Sequence, residues 1–551
     1  MLANQNHSKA QFNHGLIYDQ GKYVERDINK AIHYYSLASN QNHPGAQYNL
    51  GLIYSQGIYV ERDINKAIHY FSLASNQNHP GAQYNLGLIY SQGKYVERNI
   101  NKAILFYSLA SNHNLPEAQF NLGVIYDQGK YVERDINKAI HYYSLASKHN
   151  IPEAQYNLAV IYHKGLYVTL DINKAIYYYS LASKQNYPAA MYNIGTIYFE
   201  GKHIQYDIDK AIHYYTMAAN HNLSIAQFNL GFIYSEEKYL RCDINKAIHY
   251  LSLAADQNYP PAFYHLGKIY LDRKHVEFNI GKAIYYLTLA ANKNYHLAQL
   301  RLGVIYYEGT FIQQNIKKGG YYIMLASKNG LKEAYFFHGF LLHEGKCVKK
   351  DIKGAIHYYK EASSYDNPYA KNNLGIIYKH GYDNIERKGN AYNAIVYFNE
   401  AIHQKNDCLS MYNLAHIYIY DEKFRGYLSK SIKLLIKSSF FIHSFNLLCL
   451  VLIKQQVFDM EAILDELKKN EIDDKGLAMK IYQKISEIRF SYSLYYELYR
   501  EKDFLYDISF QPVFLSDFES ININDADLKY PNKKEITAEF YEGFGNDLLD
   551  S

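Results

Sequence analysis

The chain has no tryptophan, only 4 cysteines and 10 prolines in 551 residues, and no long uninterrupted hydrophobic run. Each absence removes a class of protein. Cys242, Cys347, Cys408 and Cys449 lie far apart with no C-x-x-C pair, so no regular disulfide ladder can be drawn, and reduced thiols in a cytoplasmic protein are expected. The few prolines, with 31 glycines mostly at fixed phase, leave no collagen-like, mucin-like or Gly/Ser linker segment. The longest apolar stretch, Phe440 to Ile453, is broken by His443, Ser444 and Asn446. It falls short of the roughly 20 residues of a membrane span, so a buried helix is expected there. The opening residues Met1 to His7 lack the basic and apolar regions of a secretory signal. What remains, 48% hydrophobic and 20% charged, is an ordinary globular composition whose surplus is tyrosine, 62 residues of it.

A 36-residue unit recurs in phase, marked by Gly15, Gly51, Gly87, Gly123, Gly195, Gly231, Gly267, Gly303, Gly339 and Gly375, with Ala159 in the one other slot. A repeat of this length is one supersecondary unit that cannot bury its apolar face alone, so copies must stack. In the copy at residues 44–79, Ala46, Leu50, Ile53 and Tyr54 form one helical stripe, which defines helix A. Pro44 suits its first turn and Gly57 its end. Asp63 sits where an N-cap belongs, and Ile64, Ala67, Phe71 and Ala74 form the stripe of helix B, opposite Asn65, His69 and Ser72.

The end of helix B carries an internal check. Asn42, Asn78, Asn114, Asn150, Asn186, Asn222, Asn258 and Asn294 share one phase, and Gly330 and Asp366 follow in it. Asn and Gly best tolerate a left-handed backbone, so the row reads as helix-terminating turns. A mid-helix glycine costs about 1 kcal/mol relative to alanine, so the glycine row implies close approach of a neighbouring backbone as the compensation.

The pattern Ala46-x-x-x-Leu50-Gly51-x-x-Tyr54-x-x-Gly57-x-x-Val60-x-x-Asp63-x-x-Lys66-Ala67-x-x-Tyr70-Phe71-x-x-Ala74 resembles the Sel-1-like repeat, a relative of the tetratricopeptide repeat. Eleven copies cover roughly Ala10 to Ser439, the last loosened by insertions before a helix B near Ala394, with Ala415 in the glycine slot. Asn replaces the family's usual C-terminal glycine and Tyr or Phe its frequent Trp; both preserve the physics. The resemblance implies an all-α fold, a right-handed α-solenoid of Sel-1-like or TPR-like hairpins with helix A lining a concave groove.

Three regions are expected: the repeat solenoid at 1–439, a helical C-terminal cap at 440–502, and an acidic, partly disordered tail at 503–551. The tail holds eleven acidic against three basic residues, so the remainder carries +12 of the whole chain's +4, spread at about one charge per copy. An even spread reads as a solvated face; alternatively the tail folds back onto a basic groove. At the other end, Met1 to Asn6 align with Leu37 to Asn42, so the chain opens on the last turn of a helix B. An uncapped end of this kind allows self-association or cover by another chain.

Little points to chemistry. His33, His69, His141, His213, His249 and His357 share a phase on the polar side of helix B. Copies about 8–10 Å apart cannot place ring nitrogens about 2 Å from one metal ion, so a surface row that gains charge below about pH 6.5 is the reading. No catalytic or nucleotide fingerprint appears in a usable context, and Glu236 and Glu237 mark a diverged loop. Tyrosines at helical spacing read as core, which argues against a nucleic-acid platform. Neither cofactor nor metal is implied.

The binding candidate is the polar strip of helix A: Asn49, Asn85, Asn121, Asn157, Asn193 and Asn229, with Gln56, Gln92 and Gln128 seven residues beyond the first three. Such an amide row can hydrogen-bond an extended peptide backbone. His265, Lys268, Asp272, Arg273 and Arg301 break the monotony and are the candidates for side-chain specificity. The reading is therefore a cytoplasmic, non-catalytic scaffold or adaptor for other proteins or peptides. The resemblance also admits a client-recruiting adaptor of a ubiquitin-ligase degradation system, the repeat module of a kinase pathway, or a hydrolase. The first is set against by the missing signal and anchor, the last by the missing disulfide ladder.

Overall fold

A computed structural model describes residues 7–490, apart from 23, 240, 241, 273, 275, 310, 382–389, 406, 441, 456–459, 471 and 473. The expected tail and the first six residues lie outside it. Among the described residues there are 27 helices, numbered α1 to α27 in chain order, and no strand, so the protein is an all-α solenoid of tandem hairpins. The chain divides into two compact units that meet in sequence after Ala254.

In the first unit the A/B hairpins are α1 (Ser8–Gln20) with α2 (Ile28–Asn40), α3 (Pro44–Gln56) with α4 (Ile64–Asn76), α5 (Pro80–Gln92) with α6 (Ile100–Asn112), and α7 (Pro116–Gln128) with α8 (Ile136–Lys148). They continue as α9 (Pro152–Lys164) with α10 (Ile172–Ser183), α11 (Pro188–Glu200) with α12 (Ile208–Asn220), and α13 (Ser224–Ser235) with α14 (Ile244–Asp256). Local chemistry sets each boundary. Asp63 Oδ1 accepts from Lys66 N at 2.9 Å, capping α4. Gly57, at φ 67°, ends α3, and the return loop closes with Asp63 N donating to the Tyr54 carbonyl at 2.9 Å. At the end of α2, Asn42 takes φ 61° while its N–H bonds the Ser39 carbonyl and that of His43 the Ala38 carbonyl. This is the paired closure of a Schellman turn, and the same asparagine recurs at φ 58–61° down the whole row.

The first six hairpins each bury one large ring from helix B among small residues, and Leu251, Leu287 and Ile323 take that place in the next three. Ala31, Tyr35, Ala38, Ala46 and Leu50 form one such cluster, and Ala67, Phe71, Ala74, Ala82 and Leu86 the next. The ring explains the glycine row more directly than a neighbouring backbone does. A Cβ on Gly51 would stand 2.5 Å from Phe71 Cδ1, and one on Gly123 2.5 Å from Tyr143 Cδ1. Backbone approach, which the spacing suggested, is the second contact at Gly195 and Gly231, where helix-B carbonyls stand 3.3 and 3.1 Å away. Successive A helices also touch, α1 with α3, α3 with α5 and α7 with α9, which makes the A face the tight side of the stack.

The second unit repeats the plan. Its hairpins are α15 (Pro260–Leu271) with α16 (Ile280–Asn292), α17 (His296–Glu308) with α18 (Ile316–Lys328), α19 (Lys332–Glu344) with α20 (Ile352–Ser364), α21 (Pro368–His380) with α22 (Ala391–Lys405), and α23 (Cys408–Tyr420) with α24 (Leu428–Lys437). Then α25 (Ile442–Lys454) packs on α24, α27 (Lys475–Phe490) on α25 and α26 (Met460–Lys469) on α27, in one cluster with Leu448, Cys449, Ile463, Ile481 and Ile485. Phe440, expected inside a buried helix, instead precedes α25 and is 81% exposed.

Candidate protein-interaction face

The asparagine row lies along the A helices of the first unit. Asn49, Asn85, Asn121, Asn193 and Asn229 are half-buried and Asn157 is buried. The amides face tyrosine hydroxyls, many of them one repeat earlier. Asn193 Nδ2 donates to Tyr156 Oη at 3.2 Å. Asn49 reaches Tyr35, Asn85 reaches Tyr48, Asn121 reaches Tyr84 and Tyr107, and Asn229 reaches Tyr192 and Tyr215. Burial pushes these phenols up, Tyr84 to about 12, while the amide beside it acts in the opposite sense. The row is thus a Tyr–Asn lattice, and Asn85 Nδ2 donates to the Gly81 carbonyl of its own helix at 2.8 Å. Gln56 and Gln92 are half-buried at the last residue of their helices, and Gln128 is exposed.

Two further ladders escaped the sequence reading. Gln47, Gln83, Gln119 and Gln155 are fully or almost fully buried beside the alanine stripe. Gln47 Nε2 donates to the Ser39 carbonyl at 3.4 Å, and its Oε1 accepts from Gln77 Nε2 at 2.7 Å. One side chain of α3 thereby ties the ends of α2 and α4 together. Gln155 does the same with Ser147 at 3.3 Å and Gln185 at 2.7 Å. At the register of Gln77 the next two copies carry His113 and His149, and there the buried Oε1 of Gln83 and of Gln119 has no hydrogen-bond partner. The signal available in the sequence was a glutamine repeatedly placed next to the most buried alanine.

The second ladder joins the A–B loops. The guanidinium of Arg26 stands 4.3 Å over the ring of Tyr59, Arg62 5.1 Å over Tyr95, Arg98 5.0 Å over Tyr131, and Arg134 4.2 Å over Tyr167. Arg26 Nη1 also donates to Tyr59 Oη at 2.7 Å, and Arg62 and Arg98 donate likewise to Tyr95 and Tyr131. These four tyrosines are 43–62% exposed, so the expectation that tyrosines are core holds for Tyr35 and Tyr107 but not for this loop row.

The diverged stretch is in the second unit. His265 and Arg301 occupy the asparagine register. His265 is only 4% exposed, and burial, with the Lys268 charge, pulls it down to about 3. Arg301 is half-buried, and its charge acts on Tyr264. Lys268 is exposed, as is Asp272, whose Oδ1 accepts from Lys274 N at 2.9 Å. Arg273 lies outside the described residues. The helix-B histidines His33, His69, His141, His213, His249 and His357 are exposed. Among the described residues no three His, Cys, Asp or Glu side chains are grouped to hold a metal, and no helix is long and apolar enough to cross a membrane.

Tandem hairpins carrying these ladders define a repeat scaffold, and comparison with known proteins agrees. The Sel1 repeat profile matches eleven consecutive segments, residues 8–43, 44–79, 80–115, 116–151, 152–187, 188–223, 224–259, 260–295, 296–331, 332–364 and 368–406. The chain belongs to the Sel1 repeat family. Among solved structures it is similar to c5321, a protective antigen of uropathogenic Escherichia coli strains displaying an SLR fold, at 25% identity and TM-score 0.61 over 79% of this chain and 93% of that one. It is also similar to a Sel1 repeat protein from Oxalobacter formigenes, at 30% identity and TM-score 0.46 over 54% of this chain and 86% of that one. No curated protein matches the sequence.

Proposed function

We propose that this chain is a non-catalytic scaffold that holds an extended segment of a partner protein along the A helices of its first unit. The observation that carries the reading is the orientation of the asparagine row. With Nδ2 of Asn193 given to Tyr156 and that of Asn85 to the Gly81 carbonyl of its own helix, the half-buried members of the row keep carbonyl oxygens for a partner. Backbone N–H groups of an extended peptide are the matching donors, and they carry no sequence preference. Many weak contacts along a rigid row give affinity by summation. Lys268 and Arg301 add charge selectivity in the second unit, the helices after residue 440 cap that unit, and the first hairpin serves self-association. The wide spacing of the four cysteines, which allows no disulfide ladder, supports a reducing compartment, the cytoplasm.

The test is fluorescence anisotropy of unstructured, uncharged peptides with the full chain and with Asn85, Asn121, Asn193 and Asn229 all changed to alanine. At about 0.5–1.5 kcal/mol per hydrogen bond, loss of four acceptors weakens binding by about thirtyfold or more. Unchanged affinity in a variant with unchanged helicity moves the function off this face.

A further inference from the structure

Lys379, in the last turn of α21, stands in a register that other hairpins fill with groups answering a helix-B hydroxyl. Asp19 accepts from Tyr35 at 3.2 Å, Ser91 meets Tyr107 at 3.1 Å and His163 meets Tyr179 at 3.4 Å. In the α21/α22 hairpin the corresponding ring is Phe398, fully buried and without a hydroxyl. The amine turns instead to α23, where its Nζ lies 3.3 Å from His416 Nδ1. Among the described residues no carboxylate is paired with it.

We propose that Lys379 is a covalent-modification site whose amine condenses with small aldehydes to an imine, with His416 positioning the nitrogen. The nitrogen lone pair attacks the carbonyl carbon, and the two N–H hydrogens leave with the carbonyl oxygen as water; nothing is oxidised or reduced. In the tautomer with Nδ1 unprotonated, His416 accepts one N–H and so fixes the direction of the lone pair, while its own ring is held 4.5 Å from Tyr420. Among the described residues, the titratable groups against the amine are His416 from α23 and His380 on its own helix, the latter pushed down to about 4 by burial and by the Lys379 charge. Phe398 from α22 adds none. Desolvation pulls the Lys379 ammonium down to about 8. About a quarter of it is then free amine at pH 7.5, against about a thousandth of an ordinary lysine.

The experiment treats the full chain with glycolaldehyde and cyanoborohydride between pH 6.5 and 10, then maps labelled peptides by mass spectrometry. Lys379 is expected to label about tenfold faster at pH 7.5 than the exposed Lys66 and Lys138, with a rate that levels off above about pH 8. Labelling no faster than those two, or a rate that climbs to pH 10 as theirs does, overturns the proposal. His416→Phe, at unchanged helicity, is expected to slow labelling without moving the midpoint; a parent-like rate refutes the positioning role. The map of the unaltered chain decides the site even where a variant fails to fold.

Discussion

Replacing Gly123 by alanine and by leucine separates two forces that meet in every hairpin. Alanine is the better helix former by about 1 kcal/mol. Its Cβ, however, would lie 2.5 and 2.6 Å from Cδ1 and Cε1 of Tyr143, a ring with no exposed surface. Carbon atoms pack at about 3.5–4.0 Å, so the ring must retreat by about 1 Å, a strain of about 1–3 kcal/mol. The net for Gly123→Ala is a loss of about 0–2 kcal/mol. The exchange beneath a ring already stands in this chain: Ala159 holds this register opposite Tyr179, which is still 99% covered. Ala159→Gly should therefore lose about 1 kcal/mol, showing a ring already accommodated. Gly123→Leu leaves no such solution, because three further carbons must displace Tyr143 altogether, at about 3–5 kcal/mol. Because a stack opens locally, the readout is hydrogen exchange in α7 and α8, where about 4 kcal/mol speeds exchange by about a thousandfold. Equal protection in the alanine and leucine variants would falsify the ring-pocket account.

His113→Gln and His149→Gln should each stabilise the first unit by about 1 kcal/mol, supplying to buried Gln83 and Gln119 the donor that Gln77 gives Gln47; a fall in urea midpoint refutes the clamp. Acid should weaken the second unit. His265 is held down to about 3 and His343 to about 4 by burial, so below about pH 6.5 the unfolded chain takes up protons that the folded one refuses. Stability is full above pH 6.5 and falls toward pH 4, by about 2 kcal/mol per residue at pH 5; His265→Asn should remove one share, as read from melting between pH 5 and 7. Arg62→Ala should cost only about 0.5–1 kcal/mol, because its contact with Tyr95 is exposed; a loss above about 2 kcal/mol in denaturant titration means the rung carries more than a surface cation–π contact.

Backbone features were legible because they follow from single residues. Asn42 in a left-handed turn, Pro44 in a first helical turn and Asp63 as a cap need no knowledge of what packs nearby. Side-chain ladders were not legible, for a geometric reason. Arg26 meets Tyr59 thirty-three residues on, and Gln47 meets Gln77 thirty on, offsets that match neither a helical nor a repeat period. Gln47 also hides its burial, since an amide beside an apolar stripe reads as its polar edge. The asparagine row was visible as a row, but its tyrosine partners were not, because Tyr156 and Asn193 lie on different helices. Within the diverged stretch, sequence could mark His265 as different but not as buried.

The Arg–Tyr rungs bear on how such a chain varies in length. Arg26 with Tyr59 and Arg62 with Tyr95 each draw one partner from each of two adjacent copies. Excision of residues 44–79 would bring Arg26 to the place now held by Arg62, facing Tyr95, with the Gln83 amide likewise brought to the Ser39 carbonyl that Gln47 now holds. No new type of contact is needed. Whole copies can therefore be lost or gained in the first unit as genetic material recombines, whereas a change of any other size breaks every rung at the junction.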